Sequence, residues 1–359
     1  MYKTTTKKWG QSFLGSYIFQ QLVPENHPLR ILSKIADFNY LNEDLKHLYS
    51  QKGQRAYSPA MMTRILILKD LYNISDERVI QMVKENIPAR MYAGISLESS
   101  VPDASDLTYF RRRLGEDNFQ KIFDKTIEIA GQNGLQIGDI LLIDSTHTQA
   151  KVNRWTQGHT KDKNHDDKDA VGGYKSATKP FFGYKHHTSV ENKNNLIISV
   201  QTTLGNVYDG SKLKDLVEES LEKIPIPKIV SVDKGYDDQD NHFYLEDQEI
   251  FSAICLKDTR LQTKKKKFKD HFGLNQIDQK YFDQYMHPYY QEGQEQRYKV
   301  EQSYAEMKNY HGLRRSKYLG LEKTHIQACL TATVYNLKHI LTDIALNLTK
   351  RKLNNSFVT

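Results

Sequence analysis

The sequence predicts a mixed α/β fold, with an all-helical N-terminal domain over about residues 1–130 and a mixed-sheet domain over about 135–350. Three observations predict it. Apolar residues in the first third recur at helical period. Past about residue 139, short β-branched runs of strand length appear, two of them ending in an acid. The chain then closes on amphipathic helices. A length of 359 residues fits two or three domains, at roughly 150 residues each.

In the helical part, Ser58 followed by Pro59 is a helix start, a capping side chain with proline in the first turn. Met61, Met62, Ile65, Leu66 and Leu68 then follow the period. A turn at Asn73 to Asp76 leads into a second helix carrying Val79, Ile80, Met82 and Val83, and a third begins near Ser105. That third helix bears Phe110, Arg111, Arg112, Arg113 and Leu114. Helix, turn, helix and an arginine-bearing helix is compatible with a DNA-binding helix-turn-helix, and equally with a helical bundle that has a basic face.

In the α/β part, DILLIDST reads as a strand ending in Asp144 and KIVSVDKG as one ending in Asp233. Residues 151–180 are polar, rich in Gly and Lys, and read as a long loop. GYKHHTSVE and NLIISVQTTL form a hairpin turning at Asn192 to Asn195, residues 211–224 form an amphipathic helix, and EIFSAICL is a further strand. A short basic, aromatic insertion without periodicity occupies about 258–294 and includes the run Lys264 to Lys267. Helices follow at about 295–310, carrying Glu301, and from about 323 to 350, lined by Ile326, Leu330, Leu337, Leu341 and Ile344.

Composition narrows the function. A net charge of +7 favours a polyanionic partner, since surface Lys and Arg release the counterions condensed on phosphate. The two cysteines, Cys255 and Cys329, sit in apolar runs without a CxxC pair, which argues against a thiolate zinc site. The first residues lack the apolar core of a signal peptide, and no stretch has the ~18 uninterrupted apolar residues of a membrane span, so an intracellular, membrane-free protein is expected.

An acid at the carboxyl end of a buried strand lies where an open α/β sheet presents ligands, and two such acids brought together repel unless a cation neutralises them. Hard carboxylate oxygens of this kind suit Mg²⁺ or Mn²⁺. Near the third acid, Arg297, Glu301 and Lys308 are spaced to share one helix face, followed by His311, Arg314, Arg315, Lys317 and Tyr318, a cluster able to follow a phosphate backbone. On residues alone a surface ion-pair ladder stays open for that face. Of Lys185, His186 and His187 in the hairpin strand, alternation lets only one of the two histidines face the site.

These segments together resemble the DDE transposases of bacterial insertion sequences. The likeness runs from about residue 30 to 350 through SDLTYFRRRL, LLIDSTHTQAKVN, DKDA with GYKHH, SVDKGYDD, RYKVEQSYAEMK and HGLRRSKYLGLEK. Arg297, Glu301 and Lys308 match the Arg, Glu and Lys of that group's YREK signature; Gln294 stands where its Tyr should be. The resemblance implies an RNase-H-like catalytic domain with Asp144, Asp233 and Glu301 as catalytic metal ligands. Two Mg²⁺ or Mn²⁺ ions are expected, Asp144 bridging both. It implies cleavage and strand transfer on double-stranded DNA, at the terminal inverted repeats of an element and at its target. A homodimer in the DNA complex and a cytoplasmic, nucleoid-associated bacterial protein are expected with it. Candidate DNA contacts are Arg297, Lys308, Lys234, Lys185, Arg111, Arg112, Arg113, Arg314 and Arg315. Some relatives flip a base with a Trp placed between the second and third acids; the tryptophans here are Trp9 and Trp155, so that step does not carry over. Two rival readings are a DNA-binding regulator with an inactive α/β domain and a metal-dependent nuclease that does not join.

Overall fold

The computed structural model describes residues 13–50, 52, 55–152, 167–176, 178–257 and 283–356. Trp9, Trp155, Lys264 to Lys267 and most of the basic insertion lie outside the described residues. The chain divides into two compact units. One comprises residues 1–134 with 310–312 and 329–359, the other 135–309 with 313–328. The final helix is thus divided between the two units rather than belonging whole to the α/β part.

The helical unit contains α1 (Phe13–Leu22), α2 (Pro28–Ile35), α3 (Leu41–Asp44), α4 (Pro59–Leu71), α5 (Asp76–Glu85), α6 (Ile87–Ala93) and α7 (Ala104–Gln132). Helix α4 starts as the sequence indicates: the Ser58 hydroxyl accepts the Met61 N–H at 3.2 Å and Pro59 fills the first turn. It is buried along nearly its whole length, Arg64, Lys69 and Asp70 included. A helix buried all round must pair its charges internally. Accordingly Lys69 lies 3.4 Å from Asp70 and 3.9 Å from Asp76. Helix α6, capped by Asn86 and ended by Gly94 at φ 75°, lies between the second and third helices that the sequence indicated. Seven residues are too few to register a period. Gly115, at φ 69° and ψ 173°, breaks α7 into two helical stretches, a backbone conformation glycine adopts without a side-chain clash.

The second unit is built on a six-stranded mixed sheet: β1 (Ile140–Gln149), β2 (Val171–Ser176), β3 (Lys179–Glu191), β4 (Ile197–Leu204), β5 (Ile229–Val232) and β6 (Phe251–Ile254). β1 runs antiparallel to β3 and β3 to β4, while β5 is parallel to β1 and β6 to β5. The order β4–β3–β1–β5–β6, three antiparallel strands and then two parallel to the first, is an RNase-H-like sheet. Helices α8 (Leu213–Leu221) and α9 (Gln239–Asp247) make the parallel crossovers; α10 (Pro288–Gln296) and α11 (Tyr298–Tyr310) follow, and α12 (Leu321–Ser356) ends the chain.

Two segments differ from expectation. Part of the presumed loop at 151–180 is strand β2, hydrogen-bonded to the start of β3. Its apolar signal is missing because Gly173 presses against the chain just past β4: a Cβ there would lie 2.1 Å from the Gly205 carbonyl. Asp167 and Asp169 tie the stretch down, accepting the Gly320 and Leu321 N–H groups at 3.1 and 2.9 Å at the start of α12. The presumed aperiodic insertion contains α10 at its end, capped by His287 and led by Pro288. As expected, the hairpin between β3 and β4 turns through Asn195 at φ 58°. Buried Glu191 holds it, accepting the N–H groups of Gly138, Lys193, Asn194 and Leu196 at 2.7–3.0 Å.

Candidate active site

The parallel pairing of β1 with β5 ends at Leu142 opposite Ser231. Asp144 and Asp233 each stand two residues further on, so both acids leave the paired strands at one level. For Asp233 this is the true strand end: it caps a short 3₁₀ turn, its Oδ1 accepting the Gly235 N–H at 2.7 Å. Asp144 corrects the expectation, because β1 continues to Gln149 against β3. The apolar run stops at the acid, but the polar β-branched residues after it keep the antiparallel ladder.

The Asp144 carboxyl is pushed up to about 7. Burial is the main cause, and the charges of Asp233 and Asp209 add to it. The Ser145 N–H, bonded to Oδ1 at 2.7 Å, and the positive charge of Arg297 oppose the rise. Asp209, on the 3₁₀ turn after β4, is thus a fourth acid of this neighbourhood that the sequence alone does not mark; it sits in a polar loop with no strand run to point to it. It pairs at 3.0 Å with Lys185 Nζ, which also donates to the Val207 carbonyl at 2.9 Å. Lys185, a candidate DNA contact, is therefore held against an acid.

The two strand histidines face opposite ways as alternation requires. His187 lies 3.8 Å from Asp209 and bonds Thr203 at 2.9 Å, while His186 bonds Thr202 at 3.0 Å. Burial lowers His187 to about 4 and His186 well below its usual value, so both are neutral at pH 7.

Opposite the strands, α10 and α11 present a stripe of side chains. Arg297 sits at their junction in helical conformation, close enough to act on the Asp144 charge, and its Nε is buried without a hydrogen-bond partner. Tyr304, one turn after Glu301, donates its hydroxyl proton to the Asp144 carbonyl at 2.6 Å and accepts from Thr188 Oγ1 at 2.8 Å. Burial and the Asp144 charge push this phenol well above its usual range, so it remains a donor. Lys308 acts electrostatically on His186. Glu301, spaced between these residues, is exposed. Gln294 donates to the Val232 carbonyl at 3.3 Å and also to that of Ala253, just before the strands end.

Two observations fit a cation here. The Tyr236 hydroxyl is buried without a partner, and Asp144, Asp209 and Asp233 all act on it. The donor set is also of hard oxygens with excess negative charge. Among the described residues, no three His, Cys, Asp or Glu side chains stand close enough to hold one metal ion as they are. The structure therefore brings Asp144 and Asp233 together, with Glu301 on the facing helix but outside their immediate cluster.

The remaining candidate cations divide by environment. Arg111 is buried, only 7% exposed, and pairs through two nitrogens with Asp76. It is a structural ion pair of the helical unit rather than the DNA contact expected of it, because the helix phase turns it inward. Arg112 and Arg113 point outward over Tyr109 and Tyr49, 5.5 and 4.5 Å from the ring centres. Lys234 is exposed beside Asp233. Arg314 and Arg315 are exposed, Arg315 donating to the Ala150 and Lys151 carbonyls at 3.2 and 2.8 Å.

A family model described as a transposase DDE domain matches residues 136–337, and one described as a transposase domain (DUF772) matches residues 17–113. Solved structures share a weaker likeness. The piggyBac transposase, in a synaptic complex with hairpin DNA, is 12% identical with a TM-score of 0.32; the match covers 69% of this chain and 52% of that one. This chain thus spans about half the length of that relative. The Mos1 mariner paired-end complex with Mn is 11% identical with a TM-score of 0.19, covering 66% of this chain and 74% of the other.

Proposed function

The chain belongs to the transposase DDE-domain family, and from that premise we propose that it is a DDE-type transposase, with Asp144, Asp233 and Glu301 the acids with which it cuts and rejoins DNA at the ends of an insertion element. The observation that carries this reading is the level pair of Asp144 and Asp233, with the Asp144 carboxyl pushed up to about 7. So much unneutralised acid charge in a half-buried site favours binding a divalent cation over leaving the site empty. Divalent ions held there, two Mg²⁺ or Mn²⁺ in the proposed reading, supply activation of a water or 3′-hydroxyl and stabilisation of the leaving oxygen.

The chain's own residues do the rest. Asp144 and Asp233 would hold the cation as ionised carboxylates, and the Gly235 N–H bonds Asp233 Oδ1 at 2.7 Å. Glu301 is free of burial, so its side chain can swing to complete a coordination shell. Arg297 has an unpaired donor next to the acids and is placed to take a phosphate oxygen. Lys308 on α11 and Lys234 beside Asp233 add positive charge. Lys185 acts through Asp209, and Arg112, Arg113, Arg314 and Arg315 offer exposed charge to the DNA backbone. Since an element has two ends to cut, two copies of the chain are proposed to act together on DNA.

A strand-transfer assay tests the reading. Purified protein with Mg²⁺, pre-cleaved element ends and a target plasmid is expected to give joined product, and Asp144→Asn to bind the same DNA without joining it. A nuclease that cannot join would yield cut ends alone, and a DNA-binding regulator would yield neither product.

A further inference from the structure

We propose that Tyr304 and Gln294 are positioning residues that hold the third acid's segment in register with the strands carrying the other two. This rests on reading Glu301 as the third metal ligand. Glu301 is exposed, so where its carboxylate can reach is set by where the backbone of α11 lies. Val300 and Met307 bury one face of that helix, but apolar contact is non-directional and does not by itself fix a rotation or a slide. Directional bonds do. Three residues after Glu301, the Tyr304 hydroxyl bonds the carbonyl of Asp144 itself, and through Thr188 Oγ1 it also grips β3 at the residue paired with Asp144. Seven residues before Glu301, the Gln294 amide bonds the carbonyl of Val232, the residue before Asp233, and that of Ala253 on β6. The stretch carrying Arg297 and Glu301 is therefore pinned at one end to the first acid's own backbone and at the other to the backbone beside the second.

Burial alone does not call for the hydroxyl. Tyr304 is 5% exposed, and phenylalanine would fill the same space with less polar surface to desolvate. Its bond to a carbonyl at the site is what tyrosine adds. An error of a fraction of an ångström at Glu301 matters, since coordination shells tolerate only about ±0.2 Å.

The test is Mn²⁺ binding to the full-length protein, followed by electron paramagnetic resonance of the free ion, alongside Mn²⁺-dependent end cleavage. Tyr304→Phe is expected to weaken Mn²⁺ binding about tenfold, the range seen when groups orienting metal ligands are removed. Cleavage should fall most at limiting Mn²⁺ and recover at saturation, with end-DNA affinity unchanged. A merely structural role would lower the thermal midpoint without moving the Mn²⁺ requirement. Gln294→Met reads the same register from the other end and decides the matter if Tyr304→Phe does not fold. If Glu301→Gln weakens Mn²⁺ binding while Tyr304→Phe and Gln294→Met bind as the wild type does, the positioning role is wrong and the ligand reading stands. If Glu301→Gln itself binds Mn²⁺ normally, the ligand reading fails and takes this inference with it.

Discussion

At the scale of single residues, the most informative group is Asp144. Its carboxyl lies near 7 in the fold, against about 3.8 for an ordinary aspartate. The folded protein without metal therefore binds this proton more tightly than the unfolded chain does. Its stability falls as pH rises from about 4 through 7, by at most roughly 1.4 kcal/mol for each pH unit crossed. Asp144→Asn removes that penalty, so its melting temperature without metal is expected to exceed the wild type's at pH 8 and to converge with it near pH 4. A difference of constant size across that range would show that Asp144 is not the strained acid described here. The two strand aspartates were legible because apolar β-branched runs stop at them. Tyr304, Tyr236 and Asp209 were not, since a tyrosine inside a helix or an acid in a polar loop carries no periodic signal; only the fold brings them to Asp144. Arg111 was misread for a similar reason, its partner Asp76 lying on another helix far along the chain.

At the scale of elements, every strand with an apolar run was readable, and so were the helices with long periodic faces. β2 and α10 were not, as VGGYKS and PYYQEGQEQ hold few apolar residues. Each is placed by partners from elsewhere, β2 by the β3 ladder and α10 by β5 and β6. The β3–β4 hairpin shows how one residue can secure an element. The Glu191 carboxylate is fully buried and accepts four backbone N–H bonds. Glu191→Ala leaves the Leu196 N–H buried without that partner and strips three part-buried N–H groups of theirs, which is expected to cost about 3 kcal/mol in urea unfolding. A loss below about 1 kcal/mol would mean that the turn holds itself through Asn195 and the ladder alone.

At the scale of the whole molecule, the basic charge was legible, and family models match residues 17–113 and 136–337. The division of the C-terminal helix was not, because its apolar residues give the same period whichever unit they pack into. Among the described residues no helix is long and apolar enough to cross a membrane. The proposed activity rests on two strand acids and a third on a helix, and of these Glu301 is the exposed one, outside the cluster of the other two. The most direct measurement is therefore cleavage of labelled element-end DNA by the purified protein with Mg²⁺, comparing the wild type with Glu301→Gln. Both proteins are expected to bind the DNA with equal affinity, and only the wild type to release cut ends. Cutting by Glu301→Gln at the wild-type rate would contradict the role proposed for Glu301.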